Sequence, residues 1–131
     1  GLASLLRSGG LLSLSFVNRH AEVLRQVWSR GDPAGALSKL GQGSFCAGLF
    51  DLQGVAYTEE EASGWLSDEG FCVTARYGVR SFSDCVPAAR LEDAAFFDAL
   101  LELELAAASR APYRSMARYV HLIANKEVEV S

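Results

Sequence analysis

Apolar residues from Leu2 to Arg7 read as the last turns of a helix, and Ser8-Gly9-Gly10 ends it, because glycine tolerates the left-handed conformation that closes a helix. Leu11 to Val17 is mostly apolar and of strand length, the pattern of a strand buried on both faces. Val17, Ala21, Leu24, Val27 and Trp28 recur at helical spacing and predict a helix with that face inward. Asn18 is suited to cap it, and Gly31-Asp32-Pro33 stops it. Residues 33–40 fit a short second helix. Gly41 to Gly54 has no period and several glycines, and reads as a loop.

Thr58-Glu59-Glu60-Glu61 is a capping box, in which the threonine hydroxyl and the Glu61 carboxylate each satisfy a backbone N–H. The added acids suit the positive end of the helix dipole. Ala62, Trp65 and Leu66 supply the apolar stripe, and Gly70 ends the helix. Phe71, Val73, Ala75, Tyr77 and Val79 then alternate with Cys72, Thr74, Arg76 and Arg80, which predicts a strand with one face more buried. Leu91 to Ala108 is a leucine-, alanine- and glutamate-rich helix. Its apolar rows are Ala94, Phe97, Leu101 and Leu105, and beside them Phe96, Leu100 and Leu103. Pro112 opens a turn or short helix, Tyr119 to Asn125 is the last strand, and residues 126–131 form a solvated tail. Strands alternating with helices predict an α/β fold with helices on both faces of a sheet, in one domain over residues 1–131.

Composition narrows the function. Half of the 131 residues are hydrophobic, and 12 basic against 16 acidic side chains leave a net charge of −4. That is a globular composition, and its sign argues against a protein that coats nucleic acid. Any RNA contact has to be local. No apolar run reaches the roughly 18 residues of a membrane helix. Cys46, Cys72 and Cys85 are odd in number and widely spaced, which points to reduced thiols, no zinc site and a cytoplasmic setting. His20 and His121 are too isolated to pair on a metal.

Several residues are candidates for binding. Asn18 and His20 follow the first strand, and ligands of open α/β sheets bind beyond the carboxyl ends of strands. The plainer reading makes Asn18 a cap and His20 an exposed first-turn residue. Arg80, late in the second strand near Tyr77, suits a carboxylate or phosphate, or a surface ion pair. Arg114 and Arg118 flank Tyr113, a set that fits RNA phosphates with an aromatic platform, or a solvated face over a buried ring. Glu92, Asp93, Asp98, Glu102 and Glu104 read as a solvated helix face. Nothing has the pattern of a nucleophilic catalytic site.

Leu6-Arg-Ser-Gly-Gly-Leu-Leu-Ser-Leu14 resembles the helix-to-fifth-strand segment of class I S-adenosylmethionine-dependent methyltransferases, with serine in place of the usual proline. Residues 58–73 resemble that family's approach to its sixth strand. Residues 119–126 resemble its antiparallel seventh strand, which closes the sheet between the fifth and sixth. Leu14 to His20, Gly78 to Asp84, Leu100 to Glu104 and Ala111 to Ala124 resemble a bacterial subgroup that modifies a tRNA wobble uridine. The resemblance implies a partial Rossmann-like methyltransferase sheet of three strands, the last antiparallel. It also implies a deficit. The family's glycine-rich turn after the first strand and its acid ending the second are not found, and Gly41-x-Gly43 lacks a preceding strand.

The implied function is therefore the substrate-side portion of a methyltransferase. The complete enzyme would use S-adenosylmethionine, and this chain would bind none. The acceptor would be a modified tRNA wobble uridine or a small carboxylate. The substrate-binding set would be Asn18, His20, Tyr77, Arg80, Tyr113, Arg114 and Arg118. Implied partners are a missing N-terminal half, or a second copy along the first strand, and tRNA. A non-catalytic binding or dimerisation module derived from such a half is the alternative.

Overall fold

The computed structural model describes residues 2–40 and 56–128. The loop expected from Gly41 to Gly54, with Cys46, and tail residues 129–131 lie outside the described residues. In chain order the elements are β1 (Leu11–Val17), α1 (Arg19–Trp28), α2 (Pro33–Lys39), α3 (Glu59–Asp68), β2 (Phe71–Val79), α4 (Ala94–Ala107), α5 (Tyr113–Met116) and β3 (Tyr119–Lys126). The segment before Gly9 is a short 3-10 turn, Leu2–Leu5, in place of the expected α-helical turns. Gly9, Gly31 and Gly70 take positive φ where the expected helix stops lie.

β3 is the middle strand and pairs antiparallel with both β1 and β2. β1 and β2 therefore run the same way, and their carboxyl ends meet at one end of the sheet. This is the mixed α/β arrangement, with an antiparallel last strand between the other two, that the sequence implied. Among the described residues no strand pairs with the outer edge of β1.

One face of the sheet holds the core. α3 sets Ala62 and Leu66 onto Phe71, Val120, Leu122 and Ala124, with Leu12, Leu14, Phe16 and Val73 around them. Each large apolar side chain buried this way contributes about 1.5–3 kcal/mol. The capping box forms: Thr58 Oγ1 accepts from the Glu61 amide, and the Glu61 carboxylate accepts from the Thr58 amide.

The structure corrects several expectations. β1 is not buried on both faces, since Leu11, Ser13 and Ser15 are exposed and Leu12, Leu14 and Phe16 turn to the core. β2 does not keep one alternation. Val73 pairs with Ala124 and Ala75 with Ile123, and the bulge between them at Thr74 switches faces. Phe71 and Val73 thus meet α3, whereas Ala75, Tyr77 and Val79 face the other side. Arg76 and Gly78 fall on the α3 side, in register with Leu122 and Val120. The apolar face expected on α1 is also displaced. Ala21, Glu22 and Gln26 are buried, and Val27 and Trp28 are exposed. Gln26 holds α1 to α2: its amide nitrogen donates to Asp32, and its oxygen accepts from Arg30 and Lys39. Trp65 of α3 is 50% exposed.

On α4, Phe97, Leu101, Leu103 and Leu105 are exposed, and only Ala107 is fully buried. A cavity of about 460 Å³ separates Phe97, Leu100, Leu101 and Leu105 from Tyr77, Val79 and His121 of the sheet's second face. Strong intrinsic helix formers sustain α4 without close packing. Its end is anchored by the Gly78 amide, which donates to the Ala108 carbonyl at 2.7 Å. The tail starts later than expected, because Lys126 completes β3 and its amide donates to Gly10.

Candidate functional site

The carboxyl ends of β1 and β2 are joined through one residue. The Asn18 amide donates to the Arg118 carbonyl at 2.9 Å, and the Arg118 amide donates to the Arg80 carbonyl at 3.2 Å. Three of the candidate residues, Asn18, Arg80 and Arg118, therefore lie in one row across the end of the sheet.

Asn18 is 1% exposed, and all its side-chain capacity is turned inward. Its Oδ1 accepts from the His20 amide, capping α1. Its Nδ2 donates to the carbonyls of Ser115 and Ala117, each at 2.8 Å. It positions α1 and α5 around the sheet end. His20 is exposed beside a small hollow bordered by Asn18, Glu59, Glu60 and Ser115.

Arg80 sits one residue beyond β2 in a left-handed conformation, φ 65°, which costs a non-glycine residue about 1–2 kcal/mol. Its Nη2 lies 2.6 Å from Asp84 Oδ1. Arg118 is 8% exposed, with Nη1 3.8 Å from the same oxygen and its guanidinium 5.3 Å from the Tyr119 ring centre. Arg25 of α1 lines the same cleft, and its Nη1 donates to Glu22 at 2.9 Å. Glu22 is itself buried, and its Oε2 has no hydrogen-bond partner.

Arg114 does not join Arg118. Its Nε donates to Glu59 Oε2 at 3.0 Å, and Arg76 takes the other oxygen of Glu59 at the same distance. The first turn of α3 thus binds both arginines. The Tyr113 ring packs at 5.6 Å against Phe82, and its carbonyl accepts from the Ser81 hydroxyl. Tyr77 borders the cavity under α4 together with Arg80, and its ring lies 6.1 Å from His121, whose Nε2 is 2.6 Å from Ser13 Oγ.

Three acids escaped the sequence reading. Glu104 is no solvated helix residue: its carboxylate accepts from the amides of Ser81 and Phe82 at 2.9 and 2.6 Å and ties α4 to the loop after β2. Asp93 of the same acidic set caps α4. Asp84 sits between Arg80 and Arg118, and only its i,i+4 spacing from Arg80 could have flagged it. Nearby, burial, then the charges of Asp84 and Glu104, raise the Cys85 thiol above its usual range. Cys85 and Cys72 are free thiols.

The strand ends do not fit a nucleotide-cofactor cradle. β1 runs into Asn18 and Arg19, and β2 runs into Arg80, so among the described residues neither turn offers glycines or a terminal acid. Arginine in these places suits an anion. A second groove, of about 560 Å³, runs beside the outer edge of β1 and is lined by Leu14, Phe16, Tyr57 and Trp65. Among the described residues, no helix is long and apolar enough to cross a membrane.

No protein-family model matches the chain. Curated proteins do. The chain is 31% identical over 139 aligned residues to the tRNA 5-carboxymethoxyuridine methyltransferase of Escherichia coli (strain K12). It is 27% identical, over the same length, to the protein of that name from Escherichia coli O157:H7. Each alignment covers 95% of this chain and 46% of the relative. The chain thus spans about half the length of the curated relatives it matches.

Proposed function

We propose that the chain is the substrate-side portion of an S-adenosylmethionine-dependent methyltransferase that acts on a modified tRNA wobble uridine or a small carboxylate. The observation that carries this reading is the likeness of 95% of the chain to a tRNA-modifying methyltransferase. The strand order β1-β3-β2, with β3 antiparallel, supports it, as do two arginines at the sheet end where ligands of such folds bind.

Methyl transfer depends chiefly on holding the acceptor in line with the methyl group, which proximity and orientation achieve without an acid–base pair. In this reading S-adenosylmethionine supplies the methyl group from a site outside the described residues. Arg80 and Arg118 hold an acidic group of the acceptor. Tyr113, half-exposed at the start of α5, and Tyr77, at the cavity under α4, offer ring faces to a base. His20 and Arg114 border the approach from α3. Asn18 keeps α1, α5 and the strand ends in register and acts through them.

The test is fluorescence anisotropy with an anticodon stem-loop, with and without a 5-carboxymethoxy group on the wobble uridine. The reading predicts tighter binding of the modified loop, lost in Arg80→Ala and Arg118→Met. Equal binding of both loops by all three proteins would contradict the tRNA acceptor. A second reading, a non-catalytic binding or dimerisation module, draws on the outer edge of β1, which no strand covers among the described residues, and the aromatic groove beside it. A concentration-independent monomer in sedimentation would count against its dimeric form.

A further inference from the structure

α4 is 14 residues long, about 21 Å, and carries an apolar row at four-residue spacing. Phe97, Leu101 and Leu105 of that row are 47%, 48% and 70% exposed. They line a trough of about 460 Å³ whose floor is Tyr77, Val79 and His121 of the sheet's second face. The trough is held open by specific bonds. The Gly78 amide donates to the Ala108 carbonyl, and the Glu104 carboxylate accepts from the amides of Ser81 and Phe82, so the C-terminal half of α4 is fixed to β2 and the loop after it. Single apolar side chains on a surface are ordinary, but a contiguous row beside an apolar floor marks a contact surface.

The charges beside the row have one sign. Asp98 follows Phe97 and Glu102 follows Leu101, so an acidic row runs along α4 next to the apolar one. Asp98 and Glu102 are exposed, as is Glu92 before the helix, and these acids enter none of the ion pairs of the described residues. No basic residue lies between Arg90 and Arg110. Arg90 lies over the Phe96 ring at 4.7 Å, and Arg80, at the rim of the trough, is paired with Asp84. The trough therefore has an apolar wall and floor with an acidic margin. Its wall offers no main-chain partners, because the α4 backbone is bonded within the helix. That favours a helix, which brings its own backbone bonds, over an extended strand.

We propose that the trough between α4 and the sheet's second face docks an amphipathic helix of another protein, apolar along one side and basic beside it. The guest helix lays its apolar side against Phe97, Leu101, Leu105 and Val79 and its lysines or arginines against Asp98 and Glu102. The same acids repel nucleic acid and anionic lipid. A second copy of this chain is disfavoured, because it carries a net charge of −4 and the same acidic margin. Tyr77 of the floor also belongs to the acceptor reading, and the docking proposal does not depend on it.

Fluorescence anisotropy tests this with two labelled helical peptides of the length of α4, one of leucine and lysine in amphipathic order and one with glutamate in place of lysine. The lysine peptide is expected to bind the native chain saturably, at least about tenfold tighter than the glutamate peptide. Leu101→Asp is expected to weaken that binding about tenfold or more. The substitution makes the chain more acidic, so a merely general attraction for a basic peptide would strengthen instead. If Leu101→Asp does not fold, Leu105→Asp, at the more exposed position, carries the same comparison. Trp65→Asp, in the groove beside β1, is expected to leave binding unchanged. Undiminished binding in a folded Leu101→Asp or Leu105→Asp overturns the proposal, as does equal binding of the two peptides by the native chain. Sedimentation showing a dimer that Leu101→Asp dissolves gives the trough to a second copy and overturns it as well. None of these results touches the methyltransferase reading, which is judged by methyl incorporation.

Discussion

Asn18 and Arg118 are locked together across the end of the sheet by a backbone hydrogen bond of 2.9 Å, one residue past β1 and one residue before β3. The same asparagine caps α1 and donates to Ser115 and Ala117, so a single buried amide registers a strand end, a helix start and the approach to β3. Asn18→Asp keeps the cap acceptor and loses both donors, and it buries a carboxylate against two carbonyls. Asn18→Ala loses all three bonds. Urea denaturation is expected to show a loss of about 2–4 kcal/mol for either, more than the ~1 kcal/mol of a simple cap. A loss under 1 kcal/mol for Asn18→Asp would mean that the two donated bonds are not made.

Arg80 is held at φ 65°. Glycine adopts that conformation freely, and alanine does not. Arg80→Gly is therefore expected to be more stable than Arg80→Ala by about 1 kcal/mol, although both lose the pairing with Asp84. Equal midpoints in denaturant would show that the left-handed turn is not formed.

Gly78 has no room for a side chain. A Cβ there would lie 2.7 Å from the Ala117 Cβ and 2.9 Å from the Arg114 backbone. Gly78→Val should cost about 1–3 kcal/mol through overpacking and push α5 away from β2. The amide spectrum of residues 113–118 would report the movement.

Glu61 answers to pH. Its bond from the Thr58 amide, aided by Arg19, outweighs its desolvation and holds its carboxyl below its usual 4.5. The folded chain thus binds this proton less readily than the unfolded one, and the contribution is present above pH 4.5 and lost as pH falls through the folded value. The native chain should lose more stability between neutral pH and pH 3 than Glu61→Gln does. Identical acid profiles would remove Glu61 from the account.

Much of the frame was legible because local chemistry decides it. The capping box at Thr58 and the stops at Gly9, Gly31 and Gly70 form as their residues imply, and the last strand is antiparallel as the family resemblance implies. The misread parts depend on contacts remote in sequence. The bulge at Thr74 leaves no mark in a strand that alternates cleanly, yet it turns Tyr77 to the face opposite Phe71 and Val73 and brings Arg76 to theirs. Glu104 looked like any wet helix acid until the loop after β2 folded onto it. Trp28 and Trp65 occupy apolar positions of their helices and remain exposed, because polar Glu22 and Gln26 take the buried places on α1 and, among the described residues, no strand covers the outer edge of β1 beside α3. At the site, residue types were readable but pairings were not: Arg114 goes to Glu59, and Arg118 goes toward Asp84.

The most direct measurement is transfer of a labelled methyl group from S-adenosylmethionine by the protein in the form the cell makes. Acceptors are tRNA bearing 5-carboxymethoxyuridine and a panel of small carboxylic acids. The account predicts incorporation into one of these classes, reduced about tenfold or more by Arg118→Met, as expected for the loss of a charge-assisted contact to the acceptor. No incorporation into either class by a folded protein would contradict it.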